Sequence, residues 1–125
     1  ELLESLARTR QAVVRAGAVL SPLFAPPAGA VDAEMARTAA EAGYWTIMWT
    51  ADTIDWQRPA PTVIRERAAR KLVPGCFVLM HPTVPTVEAL PGILEDLRRA
   101  GYEAVTVPEL LPQAALPPAP SSTPA

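Results

Sequence analysis

Apolar and polar residues alternate along this chain in blocks, and the blocks switch between the helical and strand periods. Leu2, Leu3, Leu6, Val13 and Val14 gather on one side of a helix predicted over residues 1–16, which Gly17 stops. A short apolar run at 19–24 reads as a strand and leads into a rigid Pro-Pro loop. Asp32 is placed to cap a second helix running to about residue 42, with Gly43 behind it. Residues 44–49 have the aromatic and β-branched content of a second strand.

A polar loop over 50–61 carries acidic residues and two prolines. Thr62 is the expected cap of a helix to about residue 72, and Pro74-Gly75 turns the chain into a strand at 76–80. A helix over 86–99 contains Pro91 and Gly92, which predicts a kink or a late start. Gly101 leads to a last strand at 104–107, and residues 108–111 form one helical turn. Residues 1–111 therefore make one region. Residues 112–125 are Pro, Ala and Ser without periodicity, the composition of a disordered tail or linker.

Strands alternating with helices imply right-handed βαβ units, an α/β class and a parallel sheet. Four strands are about half of a barrel, and a complete α/β barrel takes about 200 residues or more. At 125 residues the chain is one domain at most, with the look of an excised piece. Such a half barrel has two open edges and an uncovered inner face. Either missing sequence completes it, or it pairs with another chain, or it is marginal alone.

Composition narrows the function classes. Half the residues are apolar, which is enough for a core, but no run approaches the ~20 residues of a membrane span. No signal peptide is recognisable after Glu1. A net charge of −2 and the lack of a basic stripe argue against nucleic acid as a partner. Cys76, the single cysteine, rules out an internal disulfide and reads as an inert buried thiol. One histidine and one cysteine do not make a typical zinc site, so no metal ligands are assigned.

Three segments stand where strands are predicted to end, the rim on which α/β proteins build their chemistry. Phe24-Ala25-Pro26-Pro27-Ala28-Gly29 is a frozen loop, suited to aiming a backbone N–H at a developing oxyanion. Composition alone favours a plain stiff connection there. Asp52-Thr53-Ile54-Asp55-Trp56 sets two carboxylates beside a tryptophan. One carboxylate can orient a histidine and Trp56 can stack on a sugar, or the stretch is simply an acidic surface loop. His81 in Leu79-Met80-His81-Pro82 emerges after an apolar strand, and its ordinary pKa of about 6.5 suits acid–base work. A lone histidine is more often structural. All three segments fall on the same side of one sheet, a coincidence that separate bland causes do not require.

Together the segments resemble the third, fourth and fifth motifs of the NodB-type polysaccharide deacetylases, carbohydrate esterase family 4. Those motifs run roughly Arg-Pro-Pro-Tyr-Gly, Asp-x-x-Asp-Trp and Leu-x-His, and here they meet Ala25 to Gly29, Asp52 to Trp56 and Leu79 to His81 in order. Pro74-Gly75, Ala89-Leu90-Pro91 and Ala100-Gly101-Tyr102 extend the match over residues 1–111. The Phe-Ala-Pro-Pro and His-Pro-Thr forms look most like the sporulation-associated branch. The resemblance implies the C-terminal half of a distorted (β/α) barrel, and a bacterial, cell-envelope setting outside the cytoplasm.

The implied activity is hydrolysis of N-acetyl groups on N-acetylglucosamine polymers by a divalent, zinc-like metal. By position, His81 is the implied acid, and Asp55 tunes and orients it. Trp56 and Leu79 shape the acetyl pocket beside Pro27, and the Ala28 N–H helps hold the oxyanion. The earlier motifs, which supply the base and the three metal ligands, are absent from this chain. The third-motif arginine is Ala25, which cannot make a charged contact, and the tyrosine is Ala28. Three readings follow: a deacetylase part that is inactive alone, a non-catalytic glycan-binding or cell-wall module, and an interaction fragment needing a partner to complete its barrel. A paired-aspartate and a His-x-x-x-His segment upstream distinguish the first, eroded ligands the second, and a stable oligomer the third.

Overall fold

A computed structural model describes residues 1–112 and divides the chain into two compact units. One comprises Glu1–Met48 with Leu111 and Pro112, the other Trp49–Leu110. The predicted tail therefore lies outside the described residues, Pro112 excepted.

In the first unit, helix α1 (Leu2–Arg15) packs on α2 (Ala33–Glu41), and α2 packs on strand β2 (Trp45–Thr46). Strand β1 (Leu23–Phe24) pairs with β2 in parallel, Leu23 opposite Trp45 and Phe24 opposite Thr46. Asp32 caps α2 as predicted, its Oδ1 accepting the Met35 N–H at 2.7 Å. Between β1 and α2, Pro27–Gly29 forms a 3-10 turn. Ala28 (φ 55°) and Gly29 (φ 68°) both take the left-handed conformation there. That is unremarkable for glycine and unfavourable for alanine.

In the second unit, β3 (Ala51–Asp52) pairs in parallel with β4 (Val78–Leu79), Asp52 opposite Leu79. Helix α3 (Pro61–Ala69) and α4 (Val84–Arg99) pack against each other. Their contact is the core: Ile64 and Ala68 meet Ala89 and Ile93, with Val78, Met80 and Leu97 around them. Arg65 of α3 grips Asp96 of α4 through two N–H···O bonds of 2.6 Å. Gly92 leaves room for that Arg65 side chain, since a Cβ there would stand 2.8 Å from its guanidinium nitrogen and Arg65 would have to shift.

Among the described residues four strands appear, but not the four predicted. Residues 51–52 were expected in a loop and form β3. Ala and Asp are both poor strand formers; pairing with the 77–79 backbone imposes the conformation. The predicted strand at 104–107 does not form. Glu109 instead accepts from the Thr106 N–H at 2.7 Å and the Thr106 hydroxyl at 2.6 Å, a capping arrangement that draws Val107 into α5 (Val107–Leu110). Ala104 and Val105 line an apolar cavity of about 270 Å³ with Val78, Met80 and Ile93.

Two helix starts also differ. Thr62 is not a cap, because α3 begins with Pro61 at its first position. Helix α4 starts earlier than predicted and runs through Pro91, with Thr83 as its N-cap. Cys76, expected buried, is half-buried beside the cavity.

Candidate active site

The parallel pair β3–β4 delivers two chain ends to one place. After β4 the chain reaches His81. After β3 it folds into a tight 3-10 turn, Asp55–Gln57. Asp52 starts that turn, its Oδ1 accepting the Ile54 N–H at 2.8 Å. Ile54 (φ 51°) and Arg58 (φ 54°) flank it in the left-handed region, a costly conformation for a β-branched residue. Thr53 ties the turn back to β4: its hydroxyl donates to the Leu79 carbonyl at 2.8 Å. Arg67 of α3 donates to the Thr53 carbonyl at 3.0 Å.

The result is a fully buried carboxylate with three donors. Asp55 accepts from the His81 backbone N–H (2.5 Å), the His81 ring at Nδ1 (2.7 Å) and the Thr86 hydroxyl (2.7 Å). Burial pushes this carboxyl up, but the His81 amide, the His81 ring and the Thr86 hydroxyl outweigh it and hold it below its ordinary value. An ionised carboxylate only accepts, so Nδ1 of His81 carries a proton. The His81 side chain is 45% exposed, which leaves Nε2 as the ring position that can take up or release a proton. The arrangement is that of an oriented general acid or base.

The predicted site residues separate into two groups. Asp55, Trp56, Leu79 and His81 all lie in the second unit. Trp56 follows Asp55 in the turn and is 61% exposed, while Leu79 ends β4 and supplies the carbonyl that holds Thr53. Pro27 and Ala28 belong to the 3-10 turn of the first unit. Sequence reasoning missed Thr53, Arg67, Thr83 and Thr86. The signal for the last two was available: hydroxyl residues three apart at the start of an apolar-periodic helix mark an N-terminus. The predicted start at residue 86 falls three residues late, because Thr83 is the N-cap and the buried Thr86 the third position of the helix.

No family model matches the chain. Its similarity to known proteins nonetheless points one way. A peptidoglycan-N-acetylglucosamine deacetylase of Bacillus cereus is 39% identical over 95 residues, 71% of this chain and 45% of that protein. The structure of a family 4 carbohydrate esterase from Streptomyces lividans superposes with a TM-score of 0.76 at 30% identity, covering 92% of this chain and 58% of the esterase. The chain belongs to carbohydrate esterase family 4. A family 4 pseudoenzyme from Bacillus anthracis is 46% identical, with a TM-score of 0.68 over 70% of this chain and 31% of its own. Family 4 neighbours thus account for the alternation of helices and parallel strands and for the motif order. The chain spans less than half the length of the curated relatives it matches.

Family 4 deacetylases are metalloenzymes, and the side chains present here do not fit a metal. Among the described residues no group of three or more His, Cys, Asp or Glu converges. Asp52 is engaged by Ile54, both Asp55 oxygens are engaged by donors, and the His81 Nδ1 is engaged by Asp55. Among the described residues no helix is long and apolar enough to cross a membrane.

Proposed function

We propose that this chain is the acid and pocket-wall part of a family 4 glycan deacetylase-type site, and that it is hydrolytically inactive by itself. The observation that carries this reading is the buried Asp55 holding His81 at the end of β4, with Trp56 exposed in the same turn. His81 is the group that protonates the leaving amine, Asp55 its partner, and Trp56 and Leu79 the walls of the acetyl pocket. For Pro27 and the Ala28 N–H, in the first unit, the oxyanion role rests on motif position alone. The substrate class is an N-acetylglucosamine polymer of the cell wall, and the setting extracytoplasmic, in the sporulation-associated branch. Base and zinc-like metal ligands come from a segment or partner outside this chain.

A second reading, a non-catalytic glycan-binding module, is favoured by two observations. Ala25 stands where the family motif has arginine, and the 46% identical relative is a pseudoenzyme. Incubating the chain with N-acetylglucosamine oligomers and zinc tests both. No acetate release above the blank is expected, while the oligomers shift the amide resonances of Trp56, Leu79 and His81. Acetate release by the wild type that His81→Ala abolishes overturns the inactive reading. Unperturbed resonances at saturating oligomer overturn the glycan cleft itself.

A further inference from the structure

Helix α4 brings a hydroxyl pair to the underside of the site. Thr86 is 5% exposed, and its Oγ1 lies 2.7 Å from Asp55 Oδ2 and 2.8 Å from Thr83 Oγ1. The carboxylate is the stronger acceptor, so the Thr86 proton points to Asp55. Thr86 then accepts from the Thr83 hydroxyl. Thr83 is itself the N-cap, its Oγ1 facing the Thr86 N–H at 3.4 Å. The direction of every proton in the row is fixed: Thr83 to Thr86, Thr86 to Asp55, His81 Nδ1 to Asp55.

Without Thr86, Asp55 Oδ2 keeps a single anchor, the His81 amide, and the carboxylate plane can turn about its last bond. Oδ1 then leaves the position that meets the imidazole. We propose that Thr86 is a positioning residue: anchored by Thr83 at the start of α4, it locks the Asp55 carboxylate so that His81 is held on its Nδ1–H with Nε2 outward. The inference deepens the reading of Asp55 and His81 as the acid pair and does not depend on any glycan being bound.

Proton NMR of the full chain, free of glycan and metal, tests it. In the wild type the His81 Nδ1–H is expected to give a resolved downfield resonance. Thr86→Val, which keeps the shape and removes the hydroxyl, is expected to lose that resonance to exchange, and Thr86→Ser to restore it. A folded Thr86→Val with the wild-type resonance, or a folded Thr86→Ser without it, overturns the proposal. If Thr86→Val does not fold, the wild type decides. A Thr86 hydroxyl proton protected from exchange with contacts to the His81 ring supports the lock, and a rapidly exchanging one refutes it. Because no oligomer is present, failure of the glycan reading leaves this result standing.

Discussion

The two units treat polar groups and apolar surface in opposite ways. The second unit buries a carboxylate and two threonines, Thr53 and Thr86, and gives each of them hydrogen-bond partners. The same unit holds an α3–α4 core of Ile64, Ala68, Ala89 and Ile93. Among the described residues the first unit buries Pro26, Ala39 and Tyr44 on its apolar side. Helix α1 buries no residue, Leu3 is 52% exposed and Val19 92% exposed. Thr46 Oγ1 is buried there with no partner among the described residues. Rigid placement of an acid–base pair needs a packed, satisfied surround, and only the unit that holds His81 has one. The frozen loop of the first unit owes its shape to backbone constraint instead, two prolines followed by two left-handed residues.

The strongest way to break this contrast is to empty the polar centre. Asp55→Ala leaves the His81 amide, the His81 ring and the Thr86 hydroxyl without their acceptor, and it is expected to cost roughly 3 kcal/mol or more. Urea unfolding followed by fluorescence measures it. A loss below about 1 kcal/mol means that the buried network is incidental. The pH dependence carries the same information. The Asp55 carboxyl is lower in the folded chain than its unfolded value of about 3.9. The unfolded state therefore binds more protons on acidification. The stabilisation is complete above the unfolded value and disappears as pH falls through the folded one. Asp96, paired with Arg65, and Glu109, capping Thr106, share that direction. Asp55→Asn should flatten the acid limb without abolishing it.

A paired truncation sharpens the comparison on the apolar side. Ile64 is fully buried between α3 and α4, so Ile64→Ala removes transfer energy and leaves a cavity, about 2–5 kcal/mol. Leu3→Ala on half-exposed α1 should change stability by about 0.5 kcal/mol or less. Equal losses in the two variants would mean that α1 is covered in solution by something the described residues do not include.

What could be read from the chain follows the same division. Apolar periodicity located α1, α2, α3 and α4, and the Asp32 cap, because these features are local. Motif order located Asp55 and His81 at strand ends. Strand β3 was not legible, since Ala51 and Asp52 become a strand only where the Thr50 and Ala51 N–H groups meet the Phe77 carbonyl and the Thr53 N–H meets that of Leu79. The strand predicted at 104–107 failed for a local reason: Thr106 and Glu109 form a cap whose pull on Val107 exceeds its β-propensity. Thr86 was hidden because its role depends on contacts 31 residues away. Periodicity finds elements; it does not find the hydroxyl that a distant carboxylate selects.

One expected effect in the first unit has the opposite sign. Thr46 sits at the end of β2, opposite Phe24, with its hydroxyl oxygen buried and unpartnered among the described residues. A buried hydroxyl without a partner costs about 1–3 kcal/mol relative to its hydrated state in the unfolded chain. Valine has the same branched shape and no hydroxyl, and its strand preference is at least as good. Thr46→Val should therefore raise stability by about 1 kcal/mol, read as a later urea midpoint at unchanged slope. The matching change in the second unit, Thr53→Val, removes the hydroxyl that donates to Leu79 and should destabilise. If both substitutions destabilise, Thr46 has a hydrogen-bond partner in solution and the first unit is as well satisfied as the second. If the signs differ, the polar groups at the ends of β2 and β3 obey different rules, because the loop after β3 is built around the buried Asp55 carboxylate.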